Sequence, residues 1–455
     1  MSEPAAMSPR GAVPAPDPGA EFSPAWMMEV ELTEPLPAVR YDGQHRRAWV
    51  LGRLYAEPVG TCVVQLDEEG LTSDQLGALL WRALREPVAG RFAAAGLAEP
   101  SSLTGKGLPA EELRAGPAAW PFLRRRREVL DTAPFISVVV CTRDRVDQLE
   151  TCLRHLGQQE YPRFEVVVVD NNAPASDAVL ALVEDQRSAV PYRYVVEPRA
   201  GLSWARNTGT ATASGGIIAF IDDDAEPDRH WLTGLAGGFA RRDDIGCVTG
   251  MTLPARLDTP AQELFEHFGG HSNGRGFAPA VFSRHGPQNP LFPLPAFGVG
   301  ANMAFRRAAL TRIGGFDVAL GAGTPARASE DTLALTLVLL AGYRIAYEPA
   351  ALVRHHHRRG MDSLASQLHG YGVGLTAYYT ALLRRQPSVL PALLRLAPPA
   401  ASYMRGTKVT RAAAPQHLPA RLKHLQHRGM LTGPLAYIKS VRQQAQVTAA
   451  SELER

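Results

Sequence analysis

Three consecutive carboxylates, Asp222-Asp223-Asp224, follow the apolar run 217–221. Adjacent carboxylates repel one another, so such a run is unfavourable unless a cation lies among them. Oxygen ligands suit Mg²⁺ or Mn²⁺, and Mg²⁺ is commonly held by one or two carboxylates together with substrate phosphates. The run therefore predicts a divalent metal site that could neutralise the charge of a bound phosphate group. The alternative is an exposed acidic turn after a strand.

A second acidic pair, Glu330-Asp331, stands between Ser329 and the apolar run 333–341. A carboxylate at the start of a helix could remove the proton from an attacking hydroxyl. The same side chains could instead cap the helix, because acidic residues favour its first turn. The two roles can coexist.

The elements that would position these residues alternate between apolar, β-branched runs and helical patterns. Strands are predicted at 136–142, 165–169, 192–196 and 217–221, with helices at about 148–159, 176–186 and 203–213 between them. This alternation predicts a parallel sheet with right-handed crossovers.

Three of these strands run directly into polar residues, at 142–144, 170–172 and 222–224. Ligands of open α/β sheets bind beyond the carboxyl ends of the strands. We therefore expect the three polar clusters to converge on one crevice, and this joint pattern carries more weight than any single motif.

The order of these motifs resembles that of family 2 glycosyltransferases. The resemblance covers roughly residues 134–360 and rests on the segments 140–145, 168–172, 201–209, 219–224, 300–303 and 329–331. It implies a GT-A fold, an α/β architecture with a Rossmann-like, mostly parallel sheet flanked by helices. It also implies transfer of a sugar from a nucleotide-sugar donor, most often a UDP-sugar, with Mg²⁺ or Mn²⁺ as cofactor.

The resemblance also assigns roles to individual residues. Thr142 and Arg143 would bind beside the nucleotide, with Asp170 and Asn172 at the base. Arg206 and Asn207 would line the donor pocket, with Asp222 and Asp223 near the diphosphate and ribose. Gly300 and Asn302 would lie by the donor sugar and acceptor. Asp224 and Asp222 would hold the metal. Asp331 would be the catalytic base of an inverting reaction, with Glu330 beside it.

A histidine run at 355–357 completes the predicted site. Similar enzymes place a histidine near the metal or diphosphate after the last core strand, and His355 is our expectation for that ligand. His357 would share its face of a strand. The alternative is a basic surface patch ending in Arg358-Arg359.

Two other functions stay open at this point. A nucleotidyltransferase acting on sugar phosphates would favour a glycine-rich loop with a lysine after the first strand, where this chain has Thr142-Arg143-Asp144-Arg145. A non-catalytic nucleotide-sugar-binding protein would have a damaged metal or base motif.

Processive polysaccharide synthases usually carry Gln-x-x-Arg-Trp, whereas Gln367 precedes Leu-His-Gly-Tyr. We therefore predict one sugar per encounter, on a glycan, lipid-linked or small-molecule acceptor.

Composition divides the chain into five regions. They are a disordered arm at 1–24, a small α+β domain at 25–104 with Ser73 capping a helix, a linker at 105–133, the GT-A domain at 134–362 and a basic helical region at 363–455. The Gly370–Gly374 segment superficially resembles a dinucleotide loop, but it follows no predicted strand.

The last region contains no Asp or Glu between residues 363 and 451. A solvated helical surface and binding to anionic lipid headgroups are both open interpretations, whereas nucleic-acid binding is disfavoured because no aromatic platform accompanies the charge.

Four cysteines without a CxxC pair, no recognisable signal peptide and no apolar run of about 18–20 residues predict a cytoplasmic protein. Peripheral attachment at the inner face of the membrane stays open.

Overall fold

The structure is a computed structural model that describes residues 22–114, 116–186, 190–272, 275–292, 297–404 and 419–453. Most of the predicted disordered arm, residues 1–21, lies outside the described residues. Residues 22–24 lead directly into the first strand.

The N-terminal unit is a three-stranded sheet covered by one long helix. The strands β1 (Ala25–Glu31), β2 (Arg47–Leu54) and β3 (Glu57–Gln65) lie in that order, and helix α1 (Ser73–Ala94) follows. This confirms the predicted strands and helix. The helix cap differs from the prediction, because the side chain of Thr72, not of Ser73, accepts from the backbone N–H of Gln75. The Gln75 side chain in turn accepts from the backbone N–H of Thr72.

Residues 105–133, predicted as a linker, are packed against this unit. Helix α2 (Pro121–Thr132) occupies much of the stretch. The side chain of Trp120, at its start, is fully buried in the N-terminal core, with its ring 4.9 Å from that of Phe92. The linker prediction is therefore wrong, because a buried tryptophan fixes this stretch to the core that precedes it.

The central sheet has nine strands, in the order β10-β12-β9-β11-β7-β4-β5-β6, with β8 paired to β12. Strands β4, β5, β6 and β7 are mutually parallel, whereas β11 runs antiparallel between β7 and β9. Their bounds are β4 Ile136–Thr142, β5 Phe164–Asp170, β6 Tyr192–Val196, β7 Ile217–Asp222, β8 Ala225–Pro227, β9 Ile245–Pro254, β10 Ala280–Phe282, β11 Asn302–Arg306 and β12 Arg344–His355. The predicted α/β sheet and its four strands are confirmed.

Helices flank this sheet and bury its valine-rich strands on both faces. They are α3 Val146–Leu156, α4 Asp177–Asp185, α5 Leu202–Thr212, α6 Trp231–Phe239, α7 Pro260–His267, α8 Arg307–Arg312 and α9 Glu330–Leu340. The three predicted helices correspond to α3, α4 and α5.

The C-terminal region is helical, as predicted, and consists of α10 (Met361–Arg385), a short 3₁₀ turn, α11 (Leu390–Met404) and α12 (Ala420–Leu453). Helices α10 and α12 touch backbone to backbone, since a Cβ added to Gly372 would lie 2.0 Å from the Gln426 carbonyl oxygen. The glycine segment that resembled a dinucleotide loop therefore serves helix packing. Across the described ranges, every helix is too short or too polar to cross a membrane.

Glu57 is a buried carboxyl where the N-terminal unit meets the central sheet. Burial, reinforced by the nearby charge of Glu348, raises its pKa to about 7, although Arg91, Arg126 and Arg241 act in the opposite direction. Arg126 Nη2 lies 3.6 Å from Glu57 Oε2, a long distance for an ion pair. The unfolded chain therefore ionises this carboxyl at lower pH than the folded protein does.

We predict that Glu57→Gln stabilises the protein in a pH-dependent way. Because the folded-state pKa is raised, native Glu57 reduces stability as pH rises from the usual glutamate range through about 7. Urea unfolding should show the variant more stable by roughly 1–3 kcal/mol at pH 8 and nearly unchanged at pH 4.5.

The matched control is Glu99→Gln, because Glu99 forms an exposed pair with Arg85. It should change stability by less than about 1 kcal/mol at either pH. A Glu57→Gln variant that is less stable than the wild type at pH 8 would contradict the assignment.

Candidate active site

A crevice opens where three neighbouring parallel strands end. In the register of the sheet, Thr142 of β4 lies opposite Asp170 of β5, and Cys141 lies opposite Asp222 of β7. The three polar clusters predicted from the sequence therefore meet at one edge, because β4 lies between β5 and β7.

Asp223 is held beneath the crevice by two side chains from the turn after β4. Thr142 Oγ1 donates to Asp223 Oδ2 over 2.9 Å, and Arg145 Nη1 donates to Asp223 Oδ1 over 3.0 Å. Burial and the adjacent charge of Asp224 raise the pKa of Asp223 to about 6. Arg145 also donates to Asp224 Oδ2 over 3.1 Å, a contact that nothing in the sequence indicates beyond the place of Arg145 in the 140–145 segment.

The outer carboxylates of the run converge with a histidine. One ligand atom each from Asp222, Asp224 and His355 lies within 4.8 Å of the others. His355 arrives there because it pairs with Ala225 across β8 and β12, directly after the aspartate run. His355 Nε2 is 3.1 Å from Asp224 Oδ1 and 3.9 Å from Asp222 Oδ2.

This donor set fits a divalent cation. Asp224 Oδ1 is buried, and the His355 Nε2 at 3.1 Å is the contact described for it, which leaves one of its lone pairs for a cation. Burial alone would raise the pKa of Asp224, but the charges of His355 and Arg145 hold that pKa well below its usual range. An ionised carboxylate beside a second carboxylate and an imidazole suits Mg²⁺ or Mn²⁺.

Arg206, on α5, is the buried charge that joins the walls of the crevice, and it is only 2% exposed. Its Nη1 donates to Glu330 Oε1 over 2.6 Å, and its Nη2 donates over 3.2 Å both to Asp222 Oδ1 and to the Gly300 carbonyl. A Cβ at Gly300 would lie 2.8 Å from Nη2, so glycine is required for this close approach.

The two residues of the predicted catalytic pair, Glu330 and Asp331, lie in different environments. Glu330 is buried, and burial raises its pKa to about 7 although Arg206 opposes the shift. Asp331 is only half-buried, and its Oδ2 accepts from the Gly300 N–H over 2.7 Å while Oδ1 accepts from the Thr332 N–H over 2.6 Å. Glu330 therefore positions Arg206, and the geometry leaves Asp331 as the carboxylate nearer the crevice.

Asp170 occupies the other end of the crevice and is fully buried. Its Oδ2 accepts from the Ser176 N–H and the Tyr194 hydroxyl, each over 2.8 Å. Its Oδ1 has no hydrogen-bond partner in the described ranges. Asn172 is buried near it, whereas the Arg143 side chain is 53% exposed at the rim.

Two predicted donor contacts have other roles. The Asn207 side chain exchanges two 2.9 Å hydrogen bonds with the backbone of Phe316. The Asn302 amide donates to the Met251 and Ala351 carbonyls and accepts from the Trp231 indole. Both side chains therefore brace neighbouring segments of the crevice wall, and their part in donor binding stays a prediction.

Comparison with known proteins shows which family this chain is similar to. A family model described as glycosyl transferase family 2 matches residues 137–314, a segment that ends before Asp331 and His355. Succinoglycan biosynthesis protein ExoM of Rhizobium meliloti (strain 1021) is 32% identical over 241 residues, covering 50% of this chain and 69% of that protein.

Other similarities are more partial. Glycosyltransferase AglE of Haloferax volcanii is 32% identical over 115 residues, which cover 22% of this chain and 34% of AglE, so the chain spans about a third of that relative. The mannosyltransferase PcManGT from Pyrobaculum calidifontis, solved in complex with GDP-Man and Mn²⁺, is 21% identical with a TM-score of 0.41, covering 72% of this chain and 82% of its own.

We predict that Arg206→Leu destabilises the protein by about 3–5 kcal/mol, because it leaves the buried Glu330 carboxyl without its partner. The double variant Arg206→Leu/Glu330→Leu should recover much of this loss. Urea unfolding at pH 7.5 measures both.

As a matched control, Arg229→Leu removes one member of an exposed pair with Glu160 and should have little effect. If the single and double Arg206 variants were equally destabilised, the loss of stability would not come from leaving the Glu330 carboxyl without its partner.

Proposed function

Because the chain belongs to glycosyl transferase family 2, we propose that it transfers a sugar from a nucleotide-sugar donor to an acceptor hydroxyl, with inversion at the anomeric carbon. We expect a UDP-sugar as donor and one sugar per encounter. The observation that carries this proposal is the joint placement of the carboxylate–histidine cluster, Arg206 and Asp331 around one crevice.

The nucleotide end of the crevice is assigned to β4 and β5. The free Oδ1 of Asp170 is a buried acceptor that could receive an N–H from a base such as uracil. Arg143 at the rim could offset phosphate charge. Asp223, held by Thr142 and Arg145, presents a fixed carboxylate for a ribose hydroxyl.

The leaving-group end is assigned to Asp222, Asp224 and His355, which would hold Mg²⁺ or Mn²⁺. When bound there, the cation would neutralise the charge that develops on the diphosphate. Arg206 fixes the position of Asp222 and offsets the charge of the surrounding carboxylates. Because Arg206 is itself buried and anchored by Glu330, this arrangement exists before the donor arrives.

Asp331 is assigned as the general base. It would take the proton from the acceptor hydroxyl as that oxygen attacks the anomeric carbon. The Gly300 and Thr332 N–H groups each bond one of its oxygens and so fix the orientation of the carboxylate. A base acting on the acceptor, with the leaving group on the opposite side, favours inversion.

The two alternatives have less support. A nucleotidyltransferase would need phosphate-binding backbone after the first strand, but the turn after β4 uses Thr142 and Arg145 to hold Asp223 and Asp224. A protein that only binds the donor would not require the ordered Asp331 carboxylate.

We predict that Asp331→Asn abolishes transfer but leaves donor binding largely intact, because the amide keeps the shape of the side chain and cannot accept the proton. A thermal-shift screen with Mn²⁺ across UDP-, GDP- and dTDP-sugars identifies the donor by stabilisation. The same donor should then stabilise wild type and variant to a similar extent, while only the wild type releases nucleotide diphosphate with acceptor.

Asp362→Asn is the matched control, because Asp362 also lies in the first turn of a helix and is exposed. It should retain transfer. Near-normal transfer by Asp331→Asn would remove Asp331 from the base role, and stabilisation by none of the sugar nucleotides would count against the whole proposal.

We also propose that helix α12 attaches the protein to an anionic membrane surface, which would favour a lipid-linked acceptor. Leu431, Leu435 and Ile438 follow helical spacing and are 81%, 72% and 45% exposed. Arg428 and Arg442 are exposed at either end of this stripe, and no acidic residue lies between positions 363 and 451. Apolar side chains flanked by arginine suit the headgroup region.

We predict that Leu431→Glu/Leu435→Glu abolishes co-sedimentation with vesicles containing phosphatidylglycerol, because both changes put charge into the apolar stripe. Thr432→Glu/Gln443→Glu adds the same charge at exposed positions about a quarter-turn or more away and should retain most binding. An equal loss of co-sedimentation in both variants would show that the added negative charge, and not the apolar stripe, controls binding. Wild-type protein that does not co-sediment with anionic vesicles would refute the membrane proposal.

A further inference from the structure

Three histidines, one of which is His355 of the carboxylate site, form a second cluster. One nitrogen each from His271, His355 and His357 lies within 4.8 Å of the others. The ring centroids are 4.5 Å apart for His271 and His355, 5.5 Å for His271 and His357, and 5.8 Å for His355 and His357. The cluster joins β12 to the segment after α7.

Each of these rings has one buried nitrogen without a hydrogen-bond partner in the part of the chain that the structure describes. They are His271 Nε2, His355 Nδ1 and His357 Nδ1. Buried polar atoms are normally satisfied, so three unsatisfied nitrogens in one cluster require a reason.

The opposite nitrogens of two rings face carboxylates. His357 Nε2 is 2.6 Å from Glu266 Oε1, and His355 Nε2 is 3.1 Å from Asp224 Oδ1. A carboxylate at Nε2 favours the tautomer with its proton there, which leaves the lone pair on Nδ1. The same carboxylate–histidine arrangement orients the ligands of zinc sites.

An apolar wall closes the cluster on one side. The Phe265 ring lies 4.8 Å from the His357 ring and 5.1 Å from the His271 ring, both edge-on. Phe265, His355 and His357 are 2%, 8% and 6% exposed. This limits the water that could otherwise satisfy the free nitrogens.

We propose that His271, His355 and His357 form a binding site for Zn²⁺, separate from the carboxylate site for Mg²⁺ or Mn²⁺. Neutral imidazoles suit Zn²⁺, whereas Mg²⁺ prefers oxygen ligands. Tetrahedral Zn–N bonds place ligand nitrogens about 3.3 Å apart, so side-chain shifts of about 1 Å would close the site. A fourth position is left for water or another ligand.

The two sites share His355 through different nitrogens. A neutral imidazole has one lone pair, so His355 can serve one ion at a time. Zn²⁺ on Nδ1 would leave the Nε2 proton facing Asp224 and withdraw His355 from the carboxylate site. Zn²⁺ should therefore weaken Mn²⁺ binding; this consequence rests on the proposed function of the carboxylate site, whereas zinc binding does not.

The test is a Zn²⁺ titration of the full chain, stripped of metal, in competition with a chromophoric chelator. Wild type and Asp222→Asn should each bind one Zn²⁺ with similar affinity. His271→Gln should lower zinc affinity by more than about 100-fold, since even outer-shell changes cost about 10–100-fold. The matched control His424→Gln, at an exposed histidine of α12, should bind as the wild type does.

Two further measurements keep the result independent of folding. Co²⁺ added to wild-type protein should give the intense visible absorption of a tetrahedral nitrogen site, and the weak absorption of octahedral Co²⁺ would overturn the proposal. Mn²⁺ binding followed by electron paramagnetic resonance should weaken on addition of Zn²⁺ in the wild type and much less in His271→Gln. Undiminished zinc affinity in His271→Gln, or its loss in Asp222→Asn alone, would place the zinc elsewhere.

Discussion

The buried guanidinium of Arg206 is the interaction on which the crevice depends. It joins α5 to the end of β7, to the backbone before β11 and to the first residue of α9. Asp222, Glu330 and Asp331 would otherwise bring three carboxylates together with little compensating charge. One cation with a planar set of donors can satisfy two of these carboxylates and a carbonyl at once, which a lysine could not do with the same geometry.

Sheet topology supplies the other constraint. Strand β4 lies between β5 and β7, so the ends of three parallel strands are adjacent. The long strand β12 pairs with β9 and then, near its end, with β8, and this second pairing places His355 beside Ala225. The proposed metal ligands Asp222, Asp224 and His355 thus meet although His355 lies more than 100 residues from the two aspartates in the chain.

Much of the core was predictable because its signals are local. The valine run of β5 and the helical pattern at 176–186 depend on neighbouring residues, and the structure has both a strand and a helix there. Trp120 could not be placed in this way, because its partner Phe92 is distant in sequence and the intervening residues are rich in alanine, glycine and proline. The exposed stripe on α12 likewise follows from which face packs on α10, a choice that helical periodicity leaves open.

The sequence by itself determined the α/β class, the three polar strand ends and the family resemblance, because strand and helix periods and contiguous motifs are short-range properties. Only the tertiary structure separated side chains that stand next to one another in the chain. It turned Glu330 toward Arg206 and left Asp331 at the crevice, and it gave Asn207 and Asn302 backbone partners. It also brought His271 to His355 and His357. These outcomes depend on contacts between distant elements, which no local pattern encodes.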